Sequence, residues 1–96
     1  MYTVDEIKKI VSPIAARYGV ERMYLFGSYA RGEQTESSDV DLRIDRGSVR
    51  GLQMAGLLLD LEDALSLPVD LLTTPAVKPA FLDRIRKDEV LLYERS

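Results

Sequence analysis

Apolar residues recur at Ile7, Ile10, Val11, Ile14 and Ala15, a spacing that places one stripe along a helix. Thr3, with Glu6 three residues on, forms a capping-box pattern that starts this helix, and Gly19 closes it. Pro13 falls inside it, which predicts either a kink or a restart with Ser12 as a second cap. Arg22 to Phe26 is a short apolar run ending at Gly27-Ser28, read as a buried strand entering a turn. Tyr29 to Gly32 has the length of one helical turn, and the polar stretch Glu33 to Ser38 is a loop. Asp39 to Asp45 then alternates, with Val40, Leu42 and Ile44 on one side of a strand and Asp39, Asp41, Arg43 and Asp45 on the other.

Ser48 is placed to cap the next helix. Met54, Leu58, Leu61 and Leu65 form its stripe, and Leu57 and Leu59 widen the apolar face beyond what one core needs. The helix from Gly51 to Leu65 reads first as core, yet its Leu57-Leu58-Leu59 run wraps more than one face, which leaves room for a partner to cover part of it. Leu67-Pro68 ends it, Val69 to Thr73 reads as another buried strand, and Pro75 and Pro79 punctuate the following loop. Ala80 to Lys87 is a short helix and Val90 to Tyr93 a final strand. The order implies an α/β (α+β) fold, with a small mixed sheet of about four strands flanked by helices. Residues 1–96 are expected to make one domain.

Composition narrows the chemistry. With 46% apolar and 30% charged residues the chain is of ordinary globular type,. Thirteen Lys plus Arg against sixteen Asp plus Glu, a formal charge of -3, argue against independent grip on nucleic acid. No apolar run reaches a membrane span and no signal-peptide pattern is seen, so a cytoplasmic setting without a membrane is expected. There is no cysteine and no histidine, which removes thiolate nucleophiles, the usual general base and the usual zinc ligands. Carboxylates, hydroxyls, Lys and Arg must carry any reaction.

One stretch combines these groups. A glycine after a strand lets backbone N–H donors approach a triphosphate, and Ser28 adds a hydroxyl. Asp39 and Asp41, two residues apart on a strand, project from one face and can share hard cations. Asp70, set between Val69 and Leu71, completes a carboxylate triad if its strand lies beside theirs. An acid in an apolar run needs a partner, either a metal or an Arg. Asp70 can also take the proton of an attacking hydroxyl. Arg31, one turn beyond Ser28, is either a phosphate ligand or a salt-bridge partner. Asp60, Glu62 and Asp63 form a rival acidic cluster, but on a helix they splay apart. Tyr24 and Tyr29 read as packing residues, with Tyr29 near enough to the phosphate turn to merit testing.

Gly27-Ser28, the ten-residue gap and Asp39-Val40-Asp41 resemble the signature of the polymerase β nucleotidyltransferase superfamily. The fuller Gly27-Ser28-Tyr29-Ala30-Arg31-Gly32 and Ser38-Asp39-Val40-Asp41-Leu42 resemble its minimal nucleotidyltransferase (MNT) branch, the antitoxins of HEPN/MNT toxin-antitoxin modules. The resemblance implies ATP as substrate with Mg2+, two ions being expected. It implies Gly27 and Ser28 at the nucleotide, where Arg31 and Ser38 are further candidates by position, and Asp39, Asp41 and Asp70 as metal ligands and catalytic residues. It further implies AMP transfer to a tyrosine of a HEPN toxin partner, within a homo- or hetero-oligomer. Two alternatives stand beside it: a silent antitoxin that masks its partner stoichiometrically, and a small-molecule nucleotidyltransferase.

Overall fold

The computed structural model describes residues 2–96. Thr3 caps α1 (Val4–Tyr18) with the complete reciprocal box, its hydroxyl accepting from the Glu6 N–H at 3.2 Å and its own N–H donating to Glu6 at 2.8 Å. The helix runs through Pro13 without a restart. Ser12 is not a cap: its hydroxyl donates to the carbonyls of Lys8 and Leu92, which fastens the helix to the last strand. Gly19 ends α1 in the left-handed conformation, φ 78°.

The remaining elements are β1 (Arg22–Phe26), α2 (Gly27–Arg31), β2 (Val40–Asp45), α3 (Leu52–Leu65), β3 (Val69–Thr73), a 3-10 turn (Thr74–Ala76), α4 (Pro79–Ile85) and β4 (Val90–Glu94). The sheet order is β3-β2-β1-β4, with β2 and β3 parallel and the other pairs antiparallel. The α3 crossover is what permits the parallel pair. Val40, Leu42 and Ile44 of β2 are fully buried with Ile7, Val11, Leu57 and Leu61, so α1 and α3 cover one face of the sheet. Fully burying each such aliphatic side chain contributes about 1.5–3 kcal/mol.

Two sequence expectations for α3 need correction. Its first turn begins at Leu52, and Ser48 donates its hydroxyl to the Gly19 carbonyl rather than capping it. The side chain of Gln53 instead accepts from the Arg50 N–H at 3.0 Å. Within the helix Leu57, Leu61 and Leu65 are buried, and Met54 and Leu58 pack at the margin. Leu52 (91% exposed) and Leu59 (63%) lie outside the core. The acidic cluster does splay: Asp60 accepts from the Tyr18 hydroxyl at 2.6 Å, and Glu62 from the Val69 N–H at 3.0 Å.

The second face of the sheet is not the solvated surface that alternation in β2 suggests. Arg43 is only 3% exposed. It donates twice to Glu89, at 2.7 and 3.1 Å, and once to Thr74 at 2.7 Å. Its guanidinium also sits 4.2 Å from the centre of the Tyr24 ring. This cluster ties β2 to the 3-10 turn and to the segment after α4. Arg43→Met should leave Glu89 without its cation and cost about 3–5 kcal/mol in denaturant unfolding. Adding Glu89→Leu should recover much of that loss.

Candidate active site

The strand register brings the candidate residues together. Phe26 pairs with Asp41 across β1 and β2, and Asp41 pairs with Asp70 across β2 and β3. One row across three strands therefore carries Phe26, Asp41 and Asp70 on the face opposite the main core. Gly27 follows Phe26 directly, with φ 73°, a conformation costly for a residue with a side chain. A Cβ there would also collide with the Oδ2 atom of Asp41. Glycine is thus required twice, by the backbone and by the carboxylate against it.

Phe26, Gly27, Arg31, Asp41 and Asp70 line one cleft of about 510 Å3, closed on its other side by Phe81, Arg84 and Ile85 of α4 and by Asp88. Phe81 meets Phe26 edge-on, with ring centres 6.1 Å apart. Arg31 lines this cleft while its guanidinium pairs with Glu33 at 2.8 Å, the salt bridge being the one of its two expected roles that is formed. Asp39 is exposed, immediately before β2. Ser38 shapes the loop before it, its hydroxyl accepting from the Thr35 N–H at 2.9 Å. Ser28 is half-buried in α2. Neither Ser28, Ser38 nor Asp39 is among the residues lining the cleft. Tyr29 is 3% exposed and belongs to the core.

Electrostatics mark Asp41. Burial pushes its carboxyl up to about 6 from the usual 3.8, the charges of Asp70 and Asp39 push in the same direction, and Arg31 partly offsets them. Asp70 is exposed on the edge strand and makes no ion pair among the described residues. The expectation that it needs a partner presumes a burial that Asp70 does not have. Its alignment with Asp41 is what singles it out.

Crowding at Asp41 has a measurable consequence. Because its pKa is raised, the ionised form costs the folded state stability; the cost is absent below about 3.8 and complete above about 6,. Asp41→Asn should raise Tm at pH 7.5 in the presence of a chelator. Allowing for solvent screening, about 1 kcal/mol is involved, or roughly 4–8 °C. The gain should shrink as pH falls towards 4.

The donor set can be tested against a metal. Among the described residues no three acidic side chains form a ready-made cage. Mg2+ does not require one, since it keeps several waters and takes one or two carboxylates plus phosphate oxygens. The adjacent Asp41 and Asp70, with the exposed Asp39 just before β2, are oxygen donors in a chain without His or Cys, which fits a hard cation. Two other cavities fit an anion less well. One, of about 430 Å3, is lined by Tyr2, Glu6, Tyr29, Glu36 and Leu65 and contains no cation. The other, of about 600 Å3, lies along α1 beside Lys8 and Lys9 and has no glycine turn.

The sequence did not reveal Phe81, Arg84 or Asp88. They lie in a charged helix and turn with no motif, and only packing of α4 over the second face brings them to the cleft.

A glycine turn beside paired carboxylates on a small mixed sheet is an arrangement suited to phosphoryl or nucleotidyl transfer. The family described as Polymerase beta, Nucleotidyltransferase matches residues 8–96, and the chain belongs to it. It is 40% identical over 88 residues to a Methanocaldococcus jannaschii protein named as a candidate protein adenylyltransferase, covering 91% of this chain and 95% of that one. With the protein adenylyltransferase MntA of Thermococcus cleftensis the identity is 34% over 95 residues, covering 94% and 96%. Among solved structures, a candidate minimal nucleotidyltransferase superposes with TM-score 0.80 at 30% identity, covering 93% and 95%. The same fold occurs in a toxin-antitoxin complex with AMP-PNP (TM-score 0.78, 21% identity, covering 93% and 74%). It occurs again in a complex of a tri-AMPylated Shewanella oneidensis HEPN toxin with its MNT antitoxin (TM-score 0.72, 17% identity, covering 97% and 74%). Among the described residues no helix is long and apolar enough to cross a membrane.

Proposed function

We propose that this chain is a cytoplasmic Mg2+-dependent protein adenylyltransferase that transfers AMP from ATP to a tyrosine hydroxyl of a HEPN-type toxin, and so acts as an antitoxin. The observation that carries the reading is the row Phe26, Asp41, Asp70, with Gly27 held open against Asp41. The adenylyltransferase names of its relatives, and the AMPylated toxin in complex with a protein of the same fold, support a protein acceptor and a HEPN-type partner.

Asp39, Asp41 and Asp70 would hold one or two Mg2+ ions, which when bound supply charge neutralisation on the phosphate oxygens. Gly27 and Ser28 contribute backbone N–H donors, and Ser28 its hydroxyl, to the triphosphate. Arg31 neutralises phosphate charge from the wall next to Asp41. The acceptor oxygen forms a bond to the α-phosphorus while the bond to the leaving diphosphate breaks. Asp70, exposed at the sheet edge, receives the proton of the acceptor hydroxyl. The exposed Leu52 and Leu59 offer apolar surface for the partner.

The test is incubation with ATP labelled on the α-phosphate, Mg2+ and the cognate HEPN protein. Label should appear on a tyrosine of that protein and vanish when Mg2+ is chelated. A folded chain that leaves its partner unlabelled would contradict the reading.

A further inference from the structure

The cleft has two walls, and the chemistry assigned so far uses only the one built by the strands and α2. Facing it, α4 presents Phe81 and Arg84. Arg84 is exposed and, unlike Arg31, makes no ion pair among the described residues. Its guanidinium carbon lies 6.0 Å from the centre of the Phe81 ring. Phe81 is itself fixed edge-on against the buried Phe26. The guanidinium thus lies at the outer edge of cation–π range over an aromatic ring, which favours one orientation of a planar cation while leaving its N–H donors available.

Asp41, Asp70 and Asp88 line the cleft against two arginines, and one of these is already engaged by Glu33. A divalent cation held by the carboxylates would neutralise a nucleoside triphosphate on that side only. The triphosphate's outward oxygens remain to be met from the opposite wall, and a forked donor suits them.

We propose that Arg84, steadied by Phe81, is a triphosphate-binding residue that makes the cleft prefer a nucleoside triphosphate over a monophosphate. The inference rests on nucleotidyl transfer at this cleft and adds a residue from an element that contributes none of the motif.

The experiment measures Mg2+-dependent binding of a non-hydrolysable ATP analogue and of AMP, by calorimetry, to the whole chain and to Arg84→Gln and Arg84→Lys. Arg84 is exposed, so both variants should fold as the parent does. Arg84→Gln should weaken the triphosphate about tenfold while changing AMP little. Arg84→Lys should recover part of the difference. In transfer assays the loss should appear in KM for ATP more than in kcat. Equal triphosphate affinity in the parent and Arg84→Gln would overturn the assignment, as would unchanged nucleotide affinity with loss only of partner labelling, which would place Arg84 at the acceptor. A parent chain that binds no triphosphate with Mg2+ would instead overturn the nucleotidyltransferase reading, and this assignment with it.

Discussion

Replacing Asp39 and Asp41 together by Asn is expected to lower AMP transfer to the partner by about a thousandfold or more while leaving the complex with that partner intact. The size follows from what is removed. Asn keeps the shape of each side chain but not the charge that holds a divalent cation, and losing even one well-placed donor to transition-state charge costs about 10²–10³ in other enzymes. The fold should not suffer, because Asp39 is exposed and the charge of Asp41 is penalised where it stands. Pull-down and labelled-ATP assays on the same preparation separate the two effects. If the variant still neutralises its partner at a one-to-one ratio without labelling it, the chain works by masking, and the catalytic account is wrong.

The second large effect is expected at Gly27. In Gly27→Ala the backbone at φ 73° is strained, a cost of about 1–2 kcal/mol. The new methyl group must also displace the carboxylate of Asp41. That carboxylate is the end of a flexible side chain and can rotate away, so the domain should still fold, with Tm lowered by several degrees. Transfer should fall about a hundredfold, since a displacement on the order of 1 Å at a reacting centre has that effect. Because the strain and the collision act on different properties, Tm and turnover measured together distinguish them. Near-normal turnover in a destabilised variant would show that the position of Asp41 does not matter.

All eight main elements could be read from the pattern of apolar residues, and the structure supports them to within a few residues at each end. The reason is local: the Thr3 box, the left-handed Gly19 and the alternation in β2 each act over a few residues. What could not be read depends on pairing across the chain. Ser48 looked like a cap because it precedes a helical stripe, but the chain turns through Gly47 and Gly51 first and Ser48 is drawn to the Gly19 carbonyl. Alternation placed Arg43 on a polar face correctly, yet it could not show that Tyr24, Thr74 and Glu89 would bury it.

The same division holds at the site. Gly27, Asp39 and Asp41 lie within one short stretch whose spacing is itself the signal. The place of Asp70 beside Asp41 follows from parallel pairing of β2 with β3, which sequence could propose but not fix. Phe81, Arg84 and Asp88 carried no signal, because the property they share is the cleft that α4 closes.

The most direct measurement is a crystal structure of the chain with Mn2+ and a non-hydrolysable ATP analogue. Anomalous scattering should place metal against Asp39, Asp41 and Asp70, with the triphosphate running over Gly27 towards Arg84. Metal bound elsewhere, or a nucleotide seated in the cavity between Tyr2 and Leu65 with the three aspartates free, would contradict the account.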